Sequence, residues 1–269
     1  MDTLEAVLPL KSADLSRSAI LRASLDRFFP RLGRRWIVAP DGIMDVTRRA
    51  FPADAYTVIS ENALLPELRR ANKRPHGWRI QQMIKLAIAN YVESAFYLTL
   101  DADVICVRPL EPENLFIDGR AIANLEGPDH RDWYEAAGEI LGLPASVRNH
   151  CVTPAILSRD GSLALQAHIG AEWVRILIAN NGWSEYALYN TFLEATGVYD
   201  RYHVVVESPR FYGNSAWYPD QLAAWDPAES FASGGPLFTV VQSNTGVTAE
   251  AVARRVKPWL DVDLPTLTP

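Results

Sequence analysis

The run Phe96-Tyr97-Leu98-Thr99-Leu100-Asp101-Ala102-Asp103-Val104-Ile105 constrains this chain more than any other stretch. Its apolar start reads as a buried strand, and it carries two carboxylates separated by one residue. Residues two apart on a strand share a face, with about 6.6 Å of rise between them, so Asp101 and Asp103 are expected side by side at the strand's end. An unpaired carboxylate in a dry core costs several kcal/mol or gives up its charge. The pair therefore requires a divalent cation, a basic partner or open solvent, and a cation there can hold a phosphorylated ligand. The plainer reading is two strand-end carboxylates that accept loop amide hydrogens.

Around this run, strand-like and helix-like patterns alternate through the first half of the chain, which predicts a mostly parallel sheet with helices on both faces. Ala6 to Leu10, Trp36 to Ala39, Tyr56 to Ile59, Ala121 to Leu125 and Val152 to Leu157 read as strands. Asp14 stands where an N-cap would open an amphipathic helix carrying Leu21, Leu25, Phe28 and Phe29 on one face, with Arg17, Arg22 and Asp26 opposite. A second helix is expected from Trp78 to Tyr91, with Ile80, Met83, Ile84, Ala87, Ile88 and Tyr91 as its buried stripe. Trp78, Gln81, Gln82 and Lys85 fall together on its other face. In the second half the pattern predicts one long helix over 162–179, another capped by Ser184 and running to Glu194, strands at 203–206 and 237–242, and a last helix capped by Thr248. The length suits one α/β domain with an elaborated C-terminal part.

Composition excludes several classes. A net charge of −6 argues against general nucleic-acid binding, which needs a broad basic surface. Cys106 and Cys151 match no zinc spacing and read as free thiols in a reducing compartment. Met1-Asp2-Thr3-Leu4-Glu5 is acidic and leads into a short apolar run broken by Pro9, which is not a signal-peptide pattern. No segment approaches the roughly 20 apolar residues that cross a bilayer, so a cytoplasmic protein is expected, compatible with peripheral contact at the inner face of a membrane.

Four stretches together resemble the GT-A glycosyltransferases, and specifically an uncharacterised bacterial family of that fold: Gly77-Trp78-Arg79-Ile80-Gln81-Gln82-Met83-Ile84-Lys85-Leu86, Tyr97 to Asp103, Trp183-Ser184-Glu185-Tyr186, and Phe238-Thr239-Val240-Val241-Gln242-Ser243. The resemblance implies a GT-A-like nucleotide-binding sheet, with 1–145 as the nucleotide-sugar-binding half and 146–269 as the acceptor-side half. It implies a metal-dependent transfer of sugar from a nucleotide-sugar donor to a saccharide or glycolipid acceptor, with Mn²⁺ or Mg²⁺ as cofactor. Asp103 would then bind the metal, and Asp101 the donor ribose or the metal's water. Trp78, Gln82 and Lys85 are expected on the donor side, and Pro9, Leu10, Lys11 and Asp41, at the ends of the first two strands, around the nucleoside.

Glu185 follows Ser184 and so lies in a helix's first turn, where the dipole favours a carboxylate. The resemblance makes it the catalytic candidate, either as general base on the acceptor or as a stabiliser of cationic sugar character; stability alone would also place an acid there. His150, Trp183 and Tyr186 are acceptor-side candidates, and Trp183, Trp217 and Tyr218 could form a sugar platform. No histidine follows His203, so Ser243, Asn244 or water would complete a metal shell.

Three other functions fit parts of the pattern. A HAD-type phosphatase would use Asp101 as nucleophile, with Asp261 and Asp263 as its later acidic pair. A sugar nucleotidyltransferase would need a glycine-rich loop after the first strand, and Leu10-Lys11-Ser12-Ala13 has no glycine. A non-catalytic nucleotide-sugar-binding domain would keep the fold without turnover.

Overall fold

The computed structural model describes residues 3–70, 75–127 and 129–264; Met1 and Asp2 of the acidic N-terminal stretch lie outside them. The strands are β1 (Glu5–Pro9), β2 (Arg35–Ala39), β3 (Tyr56–Ser60), β4 (Phe96–Thr99), β5 (Val104–Cys106), β6 (Phe116–Ile117), β7 (Arg120–Ala123), β8 (Ala155–Ser158), β9 (His203–Val205) and β10 (Phe238–Val240). The α-helices are α1 (Leu15–Phe28), α2 (Met44–Ala50), α3 (Glu61–Leu64), α4 (Gly77–Ala87), α5 (Arg131–Leu141), α6 (Arg159–Ile169), α7 (Trp173–Ala179), α8 (Glu185–Ala195), α9 (Tyr199–Tyr202), α10 (Pro227–Phe231) and α11 (Ala249–Val256).

The main sheet has the order β3-β2-β1-β4-β8. Its β1–β2, β2–β3 and β1–β4 pairs are parallel, and β8 runs antiparallel to β4. Strand alternation divides its side chains between two cores. Val7, Trp36, Val38, Tyr97 and Leu157 face one core with α4, α5 and α8, while Ala6, Leu8, Ile37, Leu98 and Ile156 face the other with α1. The order changes direction at β1, so the crevice beyond the carboxyl ends of β1 and β4 is where such a sheet binds ligands. A β10–β5 pair and a β6-β7-β9 sheet complete the described strands.

Two caps match the reading of the sequence: Ser184 Oγ accepts from the Ala187 N–H, and Thr248 Oγ1 from the Ala251 N–H. Four details differ. The Asp-x-Asp residues lie in a turn between β4 and β5 rather than on one strand, so strand spacing does not govern their side chains. The long helix expected over 162–179 is broken into α6 and α7 at Gly170, whose φ of 107° suits only glycine. Tyr91, assigned to the buried stripe, is 44% exposed, because α4 ends at Ala87 and a 3₁₀ turn follows. Arg17, assigned to a polar outer face, is buried. The C-terminal segment folds over it, and its guanidinium donates to the carbonyls of Val241 and Val247.

Candidate active site

The centre of the site is built by α4, the turn after β4 and the first turn of α8. Lys85, buried on α4, places Nζ 2.9 Å from Asp101 Oδ1 and 2.8 Å from Glu185 Oε1. Burial pulls the lysine pKa down, but the two carboxylates outweigh it and hold Lys85 well above the ordinary lysine range. Burial raises the Glu185 carboxyl, and Lys85 offsets part of that. One ammonium thus joins a partly exposed carboxylate to a buried one. Tyr186 extends the network, with its hydroxyl 3.4 Å from Lys85 Nζ and 2.8 Å from Thr99 Oγ1.

Gln82 lies one turn before Lys85, so both side chains project from the same helix face. Its Oε1 accepts the Glu185 backbone N–H at 3.0 Å, which satisfies one of the free amides at the start of α8. Its Nε2 is buried without a hydrogen-bond partner.

Asp103 turns the other way. Its Oδ1 lies 3.6 Å from Arg17 Nε, and its Oδ2 accepts the Ser243 backbone N–H at 3.1 Å. The Asp103 carbonyl accepts from the Val241 N–H at 3.0 Å, so this residue anchors the segment that Arg17 also holds. Burial pushes the Asp103 carboxyl up to about 6 against the pull of Arg17. Sequence reasoning missed Arg17 because helical periodicity reports only the spacing of its neighbours.

These groups open onto a cleft of about 630 Å³, lined by Trp78, Gln82, Lys85, Asp101, Glu185 and Tyr186 among others, a volume ordinary for a small-molecule site. Asp103 does not line it. Trp217, Tyr218, Gln242 and Asn244 form part of its wall, and so do Glu126, Asp129, His130, Trp133, Arg210 and Tyr212, none of which the sequence singled out. The last six come from loops and element ends, where hydrophobic period carries no signal. Among the described lining residues, four carboxylates (Asp101, Glu126, Asp129, Glu185) face two permanent cations (Lys85, Arg210).

The remaining candidates lie apart from this cleft. Trp183 is buried and donates its indole N–H to the carbonyls of Leu177 and Asn180. His150 is buried with Nε2 2.8 Å from Glu194 Oε1 and Nδ1 3.2 Å from the Tyr199 hydroxyl, so both ring nitrogens are occupied. Pro9 and Leu10 are buried at the end of β1, and Lys11 pairs with Asp14 at 3.6 Å. Asp41 accepts from Ser60, Asn62 and Arg69, and the first two of these contacts hold its carboxyl below the usual range. Asp261 and Asp263, which a HAD-type phosphatase would need beside Asp101, follow α11 and line no part of the cleft. Cys106 and Cys151 are free thiols, and of the two Cys151 lines the cleft.

Among the described residues no group of three or more His, Cys, Asp or Glu could hold a metal ion. Ions of the Mg²⁺ class, however, commonly take one or two carboxylates and complete their shell with water and substrate phosphates. Asp101, with a third of its side chain exposed, fits that role. Asp103 would join it only through Oδ1, a buried atom without a hydrogen-bond partner. The backbone amide of Ser243, rather than its hydroxyl, already contacts Asp103.

Residues 1–263 match the model of a family of unknown function, DUF6492. The chain belongs to the DUF6492 family. No curated protein matches it. The DUF6492 chain is similar in structure to galactosyltransferase LgtC in complex with donor and acceptor sugar analogs, with a TM-score of 0.54, 13% identity, and 99% of this chain and 98% of that one covered. An active-site mutant of LgtC gives a TM-score of 0.55 at 14% identity, covering 99% of this chain and 98% of that one. Mouse xyloside xylosyltransferase 1 gives 0.51 at 11% identity, covering 92% of this chain and all of that one. The DUF6492 fold is thus the α/β fold of the GT-A glycosyltransferases. No helix among its described residues is long and apolar enough to cross a membrane.

Proposed function

We propose that this protein is a glycosyltransferase that moves a sugar from a nucleotide-sugar donor to a saccharide or glycolipid acceptor. The observation that carries the reading is the Asp101–Lys85–Glu185 cluster at the floor of a cleft outside the β1–β4 switch point. The whole-length likeness to two sugar transferases supports it.

In this reading the donor diphosphate lies over Asp101, with the nucleoside toward the ends of β1 and β2. An excess of carboxylates repels a diphosphate unless a cation accompanies it. A divalent ion held by Asp101 would supply that compensation and neutralise charge on the departing diphosphate. Lys85 fixes Asp101 and Glu185 in one arrangement, so neither carboxylate has to reorganise during the reaction. Glu185, which α8 and Gln82 hold at the cleft floor, is the group that meets the acceptor hydroxyl or the developing sugar cation.

Isothermal titration with UDP and GDP, with and without Mn²⁺, tests the reading. It predicts micromolar binding of at least one nucleotide, strengthened by Mn²⁺. Absence of binding to either nucleotide under both conditions would overturn it.

A further inference from the structure

Beyond the reacting centre, the cleft carries a partly exposed aromatic wall. Trp78, in the first turn of α4, is 44% exposed although it is a large apolar side chain. Its ring lies 5.7 Å from that of Trp133 on α5, and Trp133 stacks on His130 at 3.9 Å with 4° between the planes. All three line the cleft. Trp78 stands seven residues before Lys85, about 10 Å along the helix. The wall therefore lies beside the reacting centre without touching it.

Among the described residues that line the cleft, three polar atoms have no hydrogen-bond partner within the protein: Gln82 Nε2, Thr153 Oγ1 and Glu126 Oε1. Gln82 is 2% exposed and Thr153 is 5% exposed. Buried polar groups are ordinarily satisfied, so unpaired atoms on residues that line a cavity are donors and acceptors that a small side-chain turn would present to a ligand. Asp129 and Glu126 add carboxylates along the same side. Flat aromatic faces, isolated donors and acceptors, and carboxylates that take hydroxyl hydrogens together form a surface for a carbohydrate ring.

We infer that the Trp78–Trp133–His130 wall is the acceptor subsite, which moves Trp78 from the donor side where the family resemblance put it, and that its ligand is an uncharged saccharide. This rests on the glycosyltransferase reading and narrows its acceptor class. The sheet order decides the side. The ends of β1 and β2, assigned to the nucleoside, lie on one side of Asp101, and β8 lies on the other. α5, which carries Trp133, packs against α8, whose first turn carries Glu185. The surplus of carboxylates decides the charge: a uronate or phosphate on the acceptor would meet Asp129, Glu126 and Glu185 with only Arg210 and Lys85 to offset them.

A glycan array carrying both neutral and uronate- or phosphate-bearing chains tests this on the full-length protein. Signal should be confined to neutral glycans, fall at least tenfold in Trp78→Ala, and be largely kept in Trp78→Phe, with melting temperatures measured on all three. Signal on anionic glycans, no signal on any glycan, or an unchanged signal in Trp78→Ala would overturn the inference. So would UDP-dependent quenching of wild-type tryptophan fluorescence that disappears in Trp78→Ala, since it would put the nucleobase on the wall. Nucleotide titration of the wild-type protein judges the donor reading separately.

Discussion

Lys85 Nζ lies 2.8 Å from Glu185 Oε1 and ties the middle of α4 to the first turn of α8. The contact is buried at both ends, with side-chain exposures of 4% and 3%, so solvent does little to screen it. Replacing one partner leaves a charge without its counter-ion in a dry site. Lys85→Met should therefore cost about 3–5 kcal/mol of stability, the usual range for breaking a buried pair. Urea unfolding of both proteins measures it, and a loss below about 1 kcal/mol would show that water reaches the pair.

Asp101 and Asp103 should separate experimentally. Asp103 forms an ion pair with Arg17 at 3.6 Å and accepts the Ser243 amide, whereas Asp101 faces the cleft. Asp103→Asn is expected to lose about 1–3 kcal/mol of stability, because it removes the charge that faces the buried Arg17 guanidinium. Asp101→Asn removes one of the two carboxylates that hold the buried Lys85 ammonium, so it should cost about 1–3 kcal/mol, and it should lose most of the Mn²⁺ dependence of nucleotide binding, which Asp103→Asn keeps. Titration distinguishes them, thermal unfolding measures the stability cost of each, and the reverse pattern of Mn²⁺ dependence would make Asp103 the cation ligand.

His203 supplies a pH test away from the cleft. It is fully buried, its Nε2 lies 2.8 Å from the Tyr189 hydroxyl, and burial lowers its pKa to about 3. The folded state therefore keeps the ring neutral where the unfolded chain, with a pKa near 6.5, takes up a proton. The unfolded state binds more protons throughout that window, so this contribution is complete above about pH 6.5 and is lost as the pH falls toward 3. About 2 kcal/mol should disappear between pH 6.5 and pH 5. In His203→Asn the stability profile over that interval should be flatter than wild type; parallel profiles would mean that His203 titrates normally.

The fold was legible where local signals agree with tertiary packing. The stripe of Ile80, Met83 and Ile84 and the caps at Ser184 and Thr248 are written within single turns, and the structure follows them. The break at Gly170 was missed because the apolar period continues on both sides of it. In the site, Gln82, Lys85, Asp101, Glu185 and Tyr186 meet as side chains of one cleft. The roles of Arg17 and Trp133 were not legible, since each depends on a segment distant in sequence: the 241–247 turn for Arg17, and α4 for Trp133. Trp183 and His150 show the converse. Both have the chemistry of a sugar site, and both satisfy their polar atoms inside the protein.

The central claim is that the Lys85-held carboxylate of Glu185 serves sugar transfer. Its most direct test is release of nucleoside diphosphate from a panel of UDP- and GDP-sugars, measured with Mn²⁺ on the wild type and on Glu185→Gln. The account predicts release from at least one donor by the wild type and a fall of about 10²–10⁴ in the variant, with nucleotide affinity retained. Release from no donor, or equal rates in the two proteins, would contradict it.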